Sequence, residues 1–405
     1  MTSPARVPLP STLADAPTHE TEGYLGVLNL EAIEGARAAA KLIDAGIGGR
    51  DALLRENPSW LRVGTLRALL RHARVALDSD ASFALELTTF VIAQLDRLTP
   101  PTPETAFLVH QLRGLAWKEH GNALFMLGEE RLDDALDAAK RADELLSVDP
   151  FHVVYRASAR VLIALISHYQ HRNSDAIPML DEAIDVFAAH GDAQGYLNAT
   201  QVHAIIALDE RRYRDAYNLY TTVLTEAKRL GDEREQARTR HNIGLCLMRL
   251  GQLDEARDFM TEAFFEFSRL EMHGEMWRAI WVTAAIERQR GALEDALGAL
   301  HAVYARFLER GMATEAARVQ LQIGEVVTDL TKDVAYAKEM CAKLVVTMGR
   351  YDVPGNVRAA LEAVRDASAA ARSVTALCGL LHRAAAFLRD FKDSPSAVFN
   401  PALTD

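Results

Sequence analysis

Residues 241–263 read HNIGLCLMRLGQLDEARDFMTEA. Apolar side chains recur at steps of three and four on both sides of Gly251. Ile243, Leu247 and Leu250 precede it; Leu253, Ala256, Met260 and Ala263 follow it. That spacing marks two amphipathic helices with a glycine turn between them. Gly244 in the first helix and Ala256 in the second are small enough to let the two axes approach. The stretch is a helical hairpin.

The same hairpin returns along the chain. RRYRDAYNLYTTVL (211–224), GQLDEARDFMTEAF (251–264) and GALEDALGALHAVY (291–304) each run turn, apolar residue, two mostly polar residues, alanine. The alanines are Ala216, Ala256 and Ala296, 40 residues apart. A further step of 40 reaches Ala176, and outer steps of 41 reach Ala135 and Ala337. One hairpin cannot bury its apolar face alone, whereas stacked hairpins share a continuous core. The expected fold class is therefore all-α, a solenoid of antiparallel helix hairpins, with the repeat array over 106–350. Residues 23–105 are helical with less regular spacing, broken near Pro58 and at TPPTPET (99–105). This part reads as an irregular capping region. Residues 351–391 read as C-terminal repeat or capping helices, including TALCGLLHRAAAFLRD (375–390). Residues 1–22 carry four prolines and read as a disordered leader; 392–405 read as a polar tail.

The hairpin resembles the tetratricopeptide repeat. Gly244, Gly251, Leu253, Ala256 and Ala263 occupy its small and apolar positions, and HGNALFMLGEERLDDALDAA (120–139) repeats the match with Gly121, Gly128, Leu132 and Ala135. Elsewhere Ala204 and Ala284 replace the first glycine, and His171 and Arg211 the second. The resemblance implies a right-handed superhelix. HEAT and armadillo solenoids have periods that would also fit 40; the Gly-x-Leu-x-x-Ala register favours the tetratricopeptide reading. A period of 40 rather than 34 means longer helices, similar to bacterial signalling-peptide receptors and to the repeat halves of bacterial transcription regulators.

Composition narrows the function classes. The formal charge is −11 over 405 residues, which disfavours a general nucleic-acid footprint. No run of apolar residues suits a membrane helix, and no signal-peptide core follows the first residues. With three scattered cysteines, Cys246, Cys341 and Cys378, the reading is a cytoplasmic protein without a disulfide framework. No phosphate loop, dinucleotide fingerprint or nucleophile elbow is present. The glycines of AGIGGRD (45–51) read as a helix-ending turn. His168 and His171 stand three apart, with no third zinc ligand evident. The expectation is a chain that is not an enzyme and uses no cofactor or metal.

Binding is the better reading. The resemblance places the first helix of each hairpin on the concave surface. Helical phase then selects the face opposite the packed Gly or Ala. That face holds Lys118 and Asn122; Asn198, Gln201 and Ile205; Arg238, His241, Asn242, Leu245 and Arg249; Arg278, Trp281 and Arg288; and Arg318 and Gln322. It contains several arginines and almost no acids in an acidic chain. Guanidinium forks suit carboxylates, amides pair with extended backbone, and Trp281 offers an anchor. The alternative is that the arginines pair with acids on neighbouring helices and Trp281 is core. Lys118 and Asn122 resemble half of the carboxylate clamp of chaperone-binding repeats, but Ser158, Val161, Leu162 and Leu165 stand where its other half belongs.

The expected partner is a protein or peptide, most simply an acidic one, with no nucleic acid and no membrane. Homodimerisation through a terminal hairpin is open. One rival is a peptide-responsive regulator of transcription or signalling. Another is a DNA-binding regulator, since AAAKLIDAGIGGRDALLRENPSW (38–60) superficially suggests helix-turn-helix.

Overall fold

The computed structural model describes residues 32–77, 79–99, 103–148, 150–351, 353–390 and 399–402. The leader proposed for 1–22 lies outside them. Among the described residues there are helices and turns and no strand. The helices are α1 (32–44), α2 (Gly46–Glu56), α3 (Val63–Ala76), α4 (Ala81–Arg97), α5 (Pro103–Met126), α6 (Leu132–Ser147), α7 (Val153–Tyr169), α8 (Asn173–His190) and α9 (Ala193–Asp209). They continue with α10 (Tyr213–Leu230), α11 (Glu233–Arg249), α12 (Leu253–Arg269), α13 (His273–Arg290), α14 (Leu293–Glu309), α15 (Ala313–Thr331), α16 (Val334–Met348), α17 (Gly355–Ala370) and α18 (Val374–Asp390). Consecutive helices pack as hairpins, as the quoted stretch requires.

The chain divides into two compact units, one through Val202 and one from His203, so the division falls inside α9. In the first unit, α3/α4, α5/α6 and α7/α8 are hairpins, and α5 also touches α7. Leu66, Leu69, Leu87, Val91, Leu112 and Ala116 share its core across the TPPTPET break. In the second unit, Ala204 and Ala207 at the end of α9 join Ala216, Tyr220, Ile243 and Met260 in one cluster. There α11/α12, α13/α14, α15/α16 and α17/α18 are hairpins, α11 touches α13, and α18 packs on α15. Phe399 returns to the second unit, its ring 5.5 Å from that of Phe387.

Burial repeats with the sequence period. In the second helices, Leu180, Tyr220, Met260 and Leu300 are all buried, as are Ala183, Val223, Ala263 and Val303, and Phe187, Ala227, Phe267 and Phe307. In the first helices the small column Ala204, Gly244, Ala284 and Gly324 is buried throughout. A Cβ added at Gly244 would lie 2.8 Å from the Met260 side chain and 3.3 Å from the Ala256 carbonyl. The close approach inferred from the sequence is real.

The turns repeat as well. His171, Arg211, Gly251 and Gly291 close hairpins with positive φ; Gly191, Gly231, Glu271 and Gly311 do so between hairpins. Each follows a helix whose end is stitched by a backbone bond from five residues on, such as Gln252 N–H to Leu247 C=O at 2.9 Å. Glu271 adopts φ +57 at such a position, where a Cβ is strained, and its side chain is exposed. Glu271→Gly is therefore expected to stabilise the second unit by about 0.5–1 kcal/mol. A urea midpoint unchanged or lowered would show that the turn is not strained.

The stretch that suggested helix-turn-helix forms α1 and α2. Only Ala45 separates α1 from α2, and Gly46 takes φ +62. Arg50, the obvious cation of α2, is 1% exposed, pairs with Glu86 at 2.5 Å and donates to the Leu42 carbonyl at 3.1 Å.

Candidate binding surfaces on the first helices

In the first unit, α5 carries Lys118 and Asn122 one turn apart. Both turn to the same acid. Lys118 Nζ lies 2.8 Å from Glu119 Oε1, and Asn122 Nδ2–H donates to Glu119 Oε2 at 2.9 Å. Glu119 is buried. Burial pushes its pKa up, but Lys118, the Asn122 bond and Arg74 together hold it below the usual carboxylate range. The half-clamp seen in the sequence is thus occupied from within. On α9, Asn198 is exposed and accepts from Gln194 at 3.1 Å; Gln201 is half-buried.

In the second unit, phase along α11, α13 and α15 puts the expected residues on the first helices, and the contacts sort them into three groups. Trp281, Arg318 and Gln322 form one cluster. Trp281 Nε1–H donates to Gln322 Oε1, the Arg318 guanidinium stacks 4.6 Å above the indole, and Phe307 meets it edge-on at 5.6 Å. The tryptophan is half-buried against the core and already has its partners. Arg288 forms the second group. It pairs with Glu325, which is 1% exposed, and with Asp329 Oδ2 at 3.3 Å. Burial would lower its pKa, but Glu325 and Asp329 raise it, so the guanidinium keeps its charge. Arg238 makes a looser contact, 3.8 Å to Glu275.

The third group is open. Arg249 and Arg278 are exposed and, among the described residues, make no ion pair; Asn242 on α11 is half-buried. His241 lies under this face, 6.1 Å from the Phe267 ring, with Nδ1 buried and unbonded. Burial, and then the charge of Arg278, pull its pKa to about 4. The imidazole is therefore neutral in the folded chain. The sign of the linkage follows. Between pH 6.5 and 4 the unfolded chain takes up this proton and the folded chain does not, so stability falls as the pH drops through that window, by up to about 3 kcal/mol. Urea midpoints compared at pH 7 and pH 4.5 are expected to converge in His241→Leu relative to the unsubstituted chain. A parallel fall in both would remove His241 as the cause.

The acids facing Arg238 and Arg288 differ from the sequence reading, in which the strip was nearly free of acids. They sit on the next first helix, at separations of 37 and 41 residues. The period of 40 brings residues at such separations side by side. That signal was in the sequence, but phase read one helix at a time does not use it. The sequence reading also missed Arg67, Arg71 and Arg74 on α3, whose steps of four and three put them on one face. They border a cavity of about 350 Å³ in the first unit.

Other candidates resolve into packing. His168 is buried and its Nδ1 is 2.9 Å from Asn173 Oδ1, whereas His171 occupies an exposed turn. Among the described residues no group of three His, Cys, Asp or Glu side chains is placed to hold a metal. Burial pushes the thiols up, to about 12 at Cys246 and Cys378 and about 11 at Cys341. Among the described residues no helix is long and apolar enough to cross a membrane.

No family model matches the chain, and no curated protein matches it by sequence. Solved structures match it by fold. A Rap protein complexed with competence and sporulation factor is similar with a TM-score of 0.52 and 16% identity, over 89% of this chain and 98% of that one. Aspartyl phosphate phosphatase F from Bacillus subtilis is similar with a TM-score of 0.52 and 15% identity, over 91% of this chain and 96% of that one. A signal-transduction ATPase with a tetratricopeptide repeat sensor, from Pyrococcus horikoshii, is similar with a TM-score of 0.54 and 13% identity, over 74% of this chain and 49% of that one. The match thus spans about half the length of that last protein. The burial columns, the repeating turns and these likenesses agree: the chain is a tetratricopeptide-type helical repeat protein with a period of 40, of the fold that Rap proteins carry.

Proposed function

We propose that the chain is a non-catalytic cytoplasmic binding protein whose first helices take a peptide or protein segment. One observation carries the reading. In the second unit the Gly and Ala column is consumed in packing, while Arg249 and Arg278 on the other face are exposed and make no ion pair among the described residues. Exposed guanidinium groups without an ion pair suit a segment bearing carboxylates. Catalysis finds no support in groups poised to react, since the thiols are held protonated and His241 neutral.

The test is affinity purification from the native host with two baits, the intact chain and Arg249→Glu/Arg278→Glu. Arg288 is unsuited to this purpose, because an acid there would face Glu325. A partner retained by the intact bait alone is the expected result. The same partners on both baits would refute the assignment to this face.

A second reading makes the same surface the sensor of a signalling peptide in a regulator. The fold shared with a Rap protein complexed with competence and sporulation factor favours it. A regulator of that kind would be stabilised by a short peptide alone, whereas a scaffold needs the folded partner.

A further inference from the structure

The walls of the 350 Å³ cavity in the first unit come chiefly from α3, α5, α7 and α9. Arg67, Arg71, Arg74 and Lys118 bring four positive charges to it, against two acids, Glu119 and Asp192. Both acids are committed. Glu119 is bonded by Lys118 and Asn122 and also feels the charge of Arg74, and Asp192 Oδ1 accepts from the Gly195 N–H at 2.9 Å at the start of α9. Lys118 is spent in the same way. The free charge therefore belongs to α3. Its three arginines are exposed; Arg67 donates to the Gln111 amide oxygen at 3.4 Å, and among the described residues neither Arg71 nor Arg74 makes an ion pair.

A guanidinium row that makes no ion pair among the described residues is unusual in a chain of net charge −11. Long-range attraction for anions is weak in such a chain, so the row acts at contact range. The rest of the wall is mixed. Leu70 and Leu112 are buried beneath it, the Tyr155 ring is 38% exposed, and the side chains of Gln194 and Asn198 stand at the rim. Apolar floor, amide rim and forked cations together match a peptide: apolar side chain, backbone and carboxylates. A duplex would ask for phosphate contacts spread along an extended basic face, which three arginines at one cavity do not provide.

We propose that this cavity docks an acidic peptide segment of a partner protein, its carboxylates on Arg71 and Arg74 and an apolar side chain against Leu70 and Tyr155. This surface is separate from that of α11 and α13, so either assignment can fail while the other stands.

The test uses fluorescence anisotropy with the full chain and a fluorescein-labelled probe, Glu-Glu-Leu-Glu-Tyr-Glu, beside its Gln-for-Glu counterpart. The acidic probe is expected to bind at least tenfold more tightly than the neutral one. Arg71→Gln/Arg74→Gln and Arg71→Glu/Arg74→Glu should each weaken it at least tenfold while circular dichroism shows an unchanged helix content. Arg249→Glu/Arg278→Glu should leave it unchanged. Equal binding of the two probes, no binding at millimolar protein, or full affinity in the α3 variants would overturn the proposal. Retention of a labelled DNA duplex that the α3 variants abolish would overturn the peptide assignment in favour of phosphate. Loss of affinity in Arg249→Glu/Arg278→Glu alone would move the anchor to the second unit.

Discussion

Arg288→Met is expected to destabilise the second unit by about 3 kcal/mol or more. Glu325 is 1% exposed, and its Oε1 has no hydrogen-bond partner among the described residues. Removing the arginine leaves a buried carboxylate without its counter-charge, which typically costs about 3–5 kcal/mol. Asp329 and Arg288 share the site, and His382 Nδ1 lies 3.7 Å from Glu325 but is 74% exposed, so water screens what relief it offers. In a unit of this size each kcal/mol moves the melting point by about 2–4 °C, so a drop of roughly 6–12 °C is expected by calorimetry. The double variant Arg288→Met/Glu325→Leu should recover most of it, because neither charge then needs compensation. A drop under about 2 °C in the single variant would mean that water reaches Glu325 and the pair is not structural.

Phe267→Ala is expected to cost about as much, roughly 3–5 kcal/mol, for a different reason. The ring is 1% exposed at the end of α12, in the column shared by Phe187, Ala227 and Phe307. His241 packs on it from the first helix of the same hairpin. Truncation opens a cavity that helices fixed by the Gly244 contact to Met260 and Ala256 cannot close. Phe265, two residues away and 64% exposed, provides the control: its truncation should change stability by less than about 0.5 kcal/mol. Comparable losses at both positions would contradict the burial pattern on which the repeat assignment rests.

The two variants also show where sequence was informative. The columns of small and large core residues follow from the 40-residue period, because stacking hairpins puts equivalent residues into equivalent surroundings. The turn at Glu271 was readable only through that period; its residue type gives no hint of positive φ. Surface contacts were harder. Trp281, Arg288, Arg318 and Gln322 lie on first helices, but phase does not say which face of the neighbouring helix lies opposite. Contacts at separations of one period plus one, or minus three, bind them internally: Trp281 to Gln322, and Arg288 to Glu325 and Asp329. The α3 arginines were missed for the opposite reason. They lie in the irregular part, where no period flagged α3 as the equivalent of a first helix.

Binding through the first helices is most directly tested by site-specific photo-cross-linking in the native host. A benzophenone amino acid is placed at Asn242 on α11, and in parallel at Arg257 and Phe265 on α12. A covalent adduct from position 242, with none from 257 or 265, is the expected result. Adducts from the α12 positions alone would contradict it and place the partner on the second helices.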